Sequence, residues 1–423
     1  MLDKEIYCSY VDILKEELLP AMGCTEPIAL AFAAAKAKDT LGVMPDSCHL
    51  YVCGNIIKNV KAVVVPNTGG LKGISAAIVA GFISGDPSLE LEVLSKITEE
   101  EKKTLASELE RIPIKIDTAS NSKMLYIDLL AQTHDGHSVE VVIEDEHTNI
   151  TLIKKDGIKI FSKASGEAAS GETDRSCLSV ERIYDFAHSV KIEDVYDIIK
   201  RQIDYNTAIS KEGLKGNWGA RIGQTILKTG GDNIFTKVKA AAAAGSDARM
   251  SGCELPVVIV SGSGNQGLTA SLPVITFARE NGMSEEEMIR GVVFSDLITI
   301  HQKTSIGRLS AFCGAVSAGC GSAAGIAFLN GADLKTVSHT IVNALAIASG
   351  MICDGAKPSC AAKIAVAIEA GLLGYQMYLN GNQFRDGEGI IKKGVENTIN
   401  NIGRLASKGM KETDKEILDI MTK

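Results

Sequence analysis

Apolar residues recur at helical spacing over residues 4–19 (KEIYCSYVDILKEELL), with charged residues between them, and Pro20 closes that segment. GCTEP (23–27) follows and opens an Ala-rich helix, IALAFAAAKAKDTL, with Thr25 as the expected N-cap and Pro27 in the first turn. From about residue 48 the period changes, and HLYVCGNIIKNVKAVVV reads as one or two strands. A turn at Pro66-Asn67-Thr68-Gly69-Gly70 precedes a helix over 71–84, and residues 98–110 read as an exposed amphipathic helix. IPIKID, KMLYIDLLAQT, HSVEVVIED and NITLIKKDG then alternate like antiparallel strands. Residues 162–176 have the composition of a linker.

From residue 179 the pattern is helical almost throughout. Ser179 caps VERIYDFAHSV, IEDVYDIIKRQIDYNTAIS continues, and later helices are expected over 284–294, 309–329, 335–351, 360–379 and 411–421. The expected fold class is therefore α+β. An all-α C-terminal domain (179–423) is joined by N-terminal helices (1–45), with a smaller inserted α+β domain (46–178) containing an antiparallel sheet.

Composition narrows the function classes. The chain carries 44 Lys and Arg against 52 Asp and Glu, a formal charge of −8. With no basic run, nucleic acid is not an expected partner. Leu255–Ala278, Leu309–Ala332 and Thr336–Cys353 lack charged residues and approach the length of a membrane span. The first is interrupted by polar SGSGNQG, the second is mainly Ala, Gly, Ser and Cys, and mean hydropathy is only +0.11. These are expected to be buried helices of a soluble domain, with no membrane partner. Ala- and Gly-rich faces suggest a homo-oligomer. Asp3, Lys4 and Glu5 are followed by no apolar run, so a cytoplasmic location is expected and the ten cysteines are read as thiols.

Two patterns bear on chemistry. Gly262-Ser-Gly264-Asn-Gln-Gly267 fits GxGxxG, but no second strand follows to make a dinucleotide-binding unit. Either it is a tight turn that lets helices approach, or its N–H groups with Asn265 and Gln266 hold a carboxylate. Cys313 and Cys320, like Cys353 and Cys360, are seven residues apart, and the second pair flanks a loop containing Pro358. Neither ferredoxin nor zinc-ribbon spacing is present, so buried thiols and metal ligands both remain open.

Taken together, GCTEP, VPNTGG, GNWG (216–219), SGSGNQG, AFCGA and CDGAKPSC resemble the L-cysteine desulfidase family. That family is related to the iron–sulfur L-serine dehydratases of the alpha-chain type, and the resemblance runs over nearly the whole chain. It implies a 4Fe-4S cluster held by three thiolates, carried over as Cys24, Cys313 and Cys353. Cys360 matches a further dehydratase cysteine and is a rival ligand.

The implied reaction is conversion of L-cysteine to pyruvate, ammonia and sulfide through 2-aminoacrylate, on an iron with an open site and without pyridoxal phosphate. The substrate is thus a small amino acid. PNTGG resembles the dehydratases' carboxylate-binding turn, offering Asn67, Thr68 and the N–H groups of Gly69 and Gly70, although the Ser-Ser-His-Thr form is absent. Without that histidine, His301 and Lys303 in IHQKTS are the candidate bases. L-serine dehydration on the same cluster is the alternative reaction, and a non-catalytic amino-acid or thiol sensor is the alternative class.

Overall fold

The structure, a computed structural model, describes residues 3–121, 123–163 and 173–422. In chain order, α1 (Lys4–Glu17), β1 (Pro20–Met22) and α2 (Thr25–Leu41) lead into β2 (Ser47–Val52), α3 (Gly54–Val60), α4 (Ile74–Ser84) and α5 (Glu99–Arg111). Next come β3 (Ile114–Thr118), β4 (Tyr126–Gln132), β5 (Ser138–Glu144), β6 (Ile150–Lys155) and β7 (Ile158–Ser162). Then follow α6 (Val180–Ser189), α7 (Ile192–Lys215), α8 (Ile222–Thr229), α9 (Ile234–Met250), β8 (Pro256–Val258), α10 (Gly264–Glu280) and α11 (Glu285–Ile306). The chain closes with α12 (Gly314–Leu329), α13 (Leu334–Ala348), α14 (Cys360–Leu379), α15 (Val395–Arg404) and α16 (Lys411–Thr422). The fold is α+β with a helical C-terminal part.

The six-stranded sheet has the order β3-β2-β4-β5-β6-β7. All neighbours pair antiparallel except β2 and β3, which run parallel. The wholly antiparallel expectation fails there because β2 reaches β3 through α3, α4 and α5, and a helical crossover returns the chain in the same direction. Residues 54–60, expected to be extended, form α3. Of the expected linker, residues 164–172 lie outside the described residues, and 175–177 form a 3₁₀ turn.

Other departures are local. Cys24, not Thr25, is the N-cap of α2. α11 runs twelve residues beyond its expected end at 294, and α12 starts at Gly314 rather than 309. The interruption between them begins at Gly307, whose φ of +92° ends α11. The two N-terminal helices go to different layers: α1 lies against α7 and α11, while α2 lies on α4 and on β4 and β5.

Helix α12 is the centre of the helical part. Its small residues let backbones touch: a Cβ at Gly319 would fall 2.6 Å from the Ala367 carbonyl carbon, and one at Gly321 would fall 2.3 Å from Thr299 Oγ1. Thus α14 and α11 seat directly on α12, which is buried all round along most of its length. One carboxyl group lies inside this packing. Asp296 on α11 is fully buried and receives a hydrogen bond from Gln202 Nε2 at 3.1 Å. Burial pushes its carboxyl up from 3.8 to about 8, with the Gln202 bond opposing.

Gly321→Leu should destabilise the protein by about 2–3 kcal/mol in urea unfolding, because the Thr299 turn cannot retreat. Asp296 binds its proton more tightly folded than unfolded, so its contribution to stability is full below about pH 4 and is lost as pH rises through about 8. The melting temperature of Asp296→Asn relative to wild type should therefore rise progressively between pH 4 and 8. A pH-independent difference would contradict the assignment.

Candidate active site

Short pairings bring distant motifs together. β1 pairs antiparallel with β8, matching Met22 with Pro256, and the Thr25 hydroxyl donates to the Gly262 carbonyl at 3.0 Å, which sets GCTEP beside the SGSGNQG turn. Gly23 has φ +55° and a Cβ there would fall 2.1 Å from Pro66 Cγ, so the loop can lie on PNTGG only as glycine. A second pairing joins 311–313 to 351–353: Cys313 N donates to the Met351 carbonyl at 3.1 Å, and Cys353 N to that of Ala311 at 2.7 Å. This register sets Cys313 opposite Met351 and Cys353 opposite Ala311, so the two cysteines are diagonal neighbours. Cys360 opens α14 at the far end of the DGAKPS loop.

These thiols line one space. Cys24, Cys313, Cys353 and Cys360 all line a cavity of about 100 Å³. It adjoins a larger chamber of about 960 Å³ between the sheet unit and the helices, and Asn55, Lys58, Lys303 and Arg308 line both. Helix α16 covers part of the larger chamber: Asp414 Oδ1 pairs with Lys58 Nζ at 2.5 Å, and Leu418 fills the space where Gly54 has no side chain.

Glu26 organises the Cys24 end. Its Oε2 accepts from the Cys24 thiol at 3.0 Å and lies 3.1 Å from the Thr25 hydroxyl, which also bonds the Gly262 carbonyl at 3.0 Å. Its Oε1 accepts from Asn59 Nδ2 at 2.8 Å and stands 4.0 Å from the buried His147 Nε2. Burial alone would raise this carboxyl, but His147, Cys24 and backbone groups outweigh it and hold it at about 2. Burial pushes the Cys24 and Cys360 thiols up, and burial together with neighbouring Cys353 takes Cys313 to about 12. Arg249, 2% exposed, sets a guanidinium against Cys24, Glu26 and Cys360. Lys303 is 4% exposed, and burial lowers its ammonium to about 8.

The sequence-predicted residues divide. Cys24, Cys313, Cys353, Lys303, Asn265 and Gln266 line the small cavity, as does the rival Cys360. The PNTGG residues do not. Asn67 Nδ2 bonds the Leu94 carbonyl at 2.7 Å and Thr68 Oγ1 that of Val65 at 2.7 Å, while Gly69 and Gly70 supply positive-φ turn positions. Asn67, Thr68, Gly69 and Gly70, expected to bind substrate, thus lie outside both cavities, and the Asn67 and Thr68 side chains donate within the turn region. His301 is outside both cavities, with Nε2 at 2.7 Å from Glu396 Oε2. Sequence reasoning missed Asn55, Lys58 and Asn59, whose spacing of three and four within an apolar run was the available signal. It missed Arg249 as well, for which no local pattern stood out.

Could these residues hold a metal? Among the described residues, no group of three His, Cys, Asp or Glu side chains is already closed around one position. The donor set is nonetheless thiol-rich, and soft thiolates suit iron rather than a hard cation. Arg249 would offset the charge of thiolates formed on metal binding. The residues fit an iron–sulfur group by chemistry.

Comparison with known proteins fixes the relationship. The serine dehydratase alpha chain family profile matches residues 88–419. The chain belongs to that family. It is similar to a UPF0597 protein of Desulfitobacterium hafniense (strain Y51), 55% identical over 98% of this chain and 96% of that protein. A UPF0597 protein of Treponema denticola is 47% identical over 100% of this chain and 99% of its own length. One of Clostridium perfringens (strain SM101 / Type A) is 40% identical over 97% of each. Within the serine dehydratase alpha-chain match lie Cys313, Cys353, Cys360, Arg249 and Lys303; Cys24 and α3 precede it. Among the described residues, no helix is long and apolar enough to cross a membrane.

Burial orders the thiols by reactivity. Iodoacetamide at pH 8 should label exposed Cys8 in the native, metal-free protein, whereas Cys24, Cys48 and Cys320 should label only after denaturation. Mass spectrometry of the labelled peptides reads the order, and rapid native labelling of Cys24 would show that the cavity is open.

Proposed function

We propose that this chain is an iron–sulfur lyase that releases sulfide from L-cysteine, leaving pyruvate and ammonia. The observation that carries the reading is the convergence of four thiols from distant segments on one cavity that also holds a buried lysine. Cys24, Cys313 and Cys353 would hold a 4Fe-4S cluster, with Cys360 as the competing ligand. When bound, such a cluster with one iron free of protein ligands supplies Lewis acidity toward the substrate's β-substituent.

The chain's own part is proton transfer and enclosure. Lys303 Nζ forms no ion pair among the described residues, and burial lowers it to about 8, so that about half of it is the neutral amine at pH 8. A neutral amine there takes the Cα proton, and the electron pair left behind forms the C=C bond as the β-substituent leaves. The product, 2-aminoacrylate, tautomerises to an imine that water hydrolyses to pyruvate and ammonia. The narrow inner cavity holds the reacting carbons away from bulk water until elimination is complete. His301, bonded to Glu396 outside the cavity, has no assigned role.

The family description favours a second reading, L-serine dehydration by the same residues with water as the leaving group. Anaerobically iron-reconstituted protein given L-cysteine should release sulfide and pyruvate in equal amounts. Pyruvate from L-serine alone would select the second reading, and silence with both despite bound iron would end both. Lys303→Ala should keep its iron and lose on the order of 10²–10⁴-fold in kcat. In wild type, kcat should rise with pH through about 8 as Lys303 loses its proton. Cys313→Ala and Cys353→Ala should fail to retain four irons, while Cys8→Ala retains them. A full iron complement in Cys24→Ala would transfer that ligand role to Cys360.

A further inference from the structure

Asn55 and Asn59 lie four residues apart on α3, on one face, and both line the inner cavity. Both are buried, at 7% and 6% exposure. Asn55 Nδ2 donates to the Met124 carbonyl at 3.1 Å, and Asn59 Nδ2 donates to Glu26 Oε1 at 2.8 Å. Those partners are acceptors only, so neither amide can be turned round without setting oxygen against oxygen. Their Oδ1 atoms are thereby fixed as acceptors, and among the described residues no group donates to either. Two buried acceptors need donors, which ordered water supplies until a ligand with N–H groups displaces it.

Asn265 Oδ1 and Gln266 Oε1 are also unpartnered on this cavity, but nothing equally strong fixes their orientation; Asn265 Nδ2 meets only Met250 Sδ at 3.5 Å. The α3 pair is therefore the determined part of the site. The group that satisfies it has several N–H donors and is favoured by the adjoining Glu26 carboxylate. Of the cations that line this cavity, Lys58, on the same helix, is matched by Asp414, and Arg249 faces Cys24, Glu26 and Cys360.

We infer that the carbonyl oxygens of Asn55 and Asn59 receive the α-ammonium group of the substrate, making the cavity selective for free amino acids over thiol or hydroxy acids that lack the amine. This rests on the proposed amino-acid elimination and adds the residues that choose its substrate. It also implies that N-acylated cysteine is excluded, since acylation removes both the charge and two of the donors.

A matched pair of ligands isolates the ammonium. 2-Methyl-L-cysteine has no Cα hydrogen and cannot eliminate, and 3-mercapto-2-methylpropanoate is the same thiol acid without the amine. Calorimetric titration of the iron-reconstituted protein should show the amine-bearing ligand binding at least about 30-fold more tightly, as two otherwise unpaired acceptors require. Asn55→Ala and Asn59→Ala should each reduce that ratio about tenfold and leave the affinity for 3-mercapto-2-methylpropanoate unchanged. Equal binding of the two ligands by wild type overturns the inference, and so does a variant that weakens both alike. If a variant does not fold, the wild-type ratio still decides. An ammonium preference without sulfide or pyruvate from cysteine would sink the proposed reaction and keep this site; turnover without the preference would do the reverse.

Discussion

The site depends on a buried carboxylate. Glu26 takes hydrogen bonds from Cys24 and Asn59 and faces Thr25 and His147, so one side chain joins the start of α2, the α3 turn and the β5–β6 loop. A buried carboxylate this well supplied is cheap to keep and expensive to disturb, because removing any donor leaves charge uncompensated in a low-dielectric setting. Arg249 balances it from the opposite element, α9. The arrangement explains why the thiol of Cys24 has a defined direction at a helix start with no side-chain cap of its own.

The second constraint is the closeness of the helices. Cys313 is the N-cap of α12, and a Cβ on the first residue of the helix, Gly314, would fall 2.6 Å from Gln266 Cδ. The SGSGNQG turn is thus pressed against the cysteine by the same small-residue packing that seats α11 and α14. The paired turns of 311–313 and 351–353 then hold two thiols side by side through backbone hydrogen bonds rather than side-chain contacts. Fixing ligand candidates by main-chain register gives a placement that neighbouring side-chain changes perturb little.

Much of this was legible in the sequence, and the rest was hidden for physical reasons. The helical C-terminal part and the strands from 126 to 155 follow from periodicity, and the cavity cysteines from their motifs. The run of Ile and Val over 56–65 masked α3, because β-branched residues favour strands until the fold overrides them. That misreading concealed Asn55 and Asn59, whose helical spacing means nothing in a strand. PNTGG was marked by its resemblance to a carboxylate-binding turn; in the fold Asn67 and Thr68 donate to nearby carbonyls, and the turn lies outside both cavities. The parallel β2–β3 pair depends on the intervening crossover, which strand alternation does not encode.

The cavity wall is drawn from both ends of the chain, from Cys24 to Cys360, with Asn59 and Arg249 between. During synthesis the first of these residues leaves the ribosome hundreds of residues before the last, so the nascent chain cannot present the four thiols together. A group held by all four thiols together is therefore acquired only once nearly the whole chain has been made.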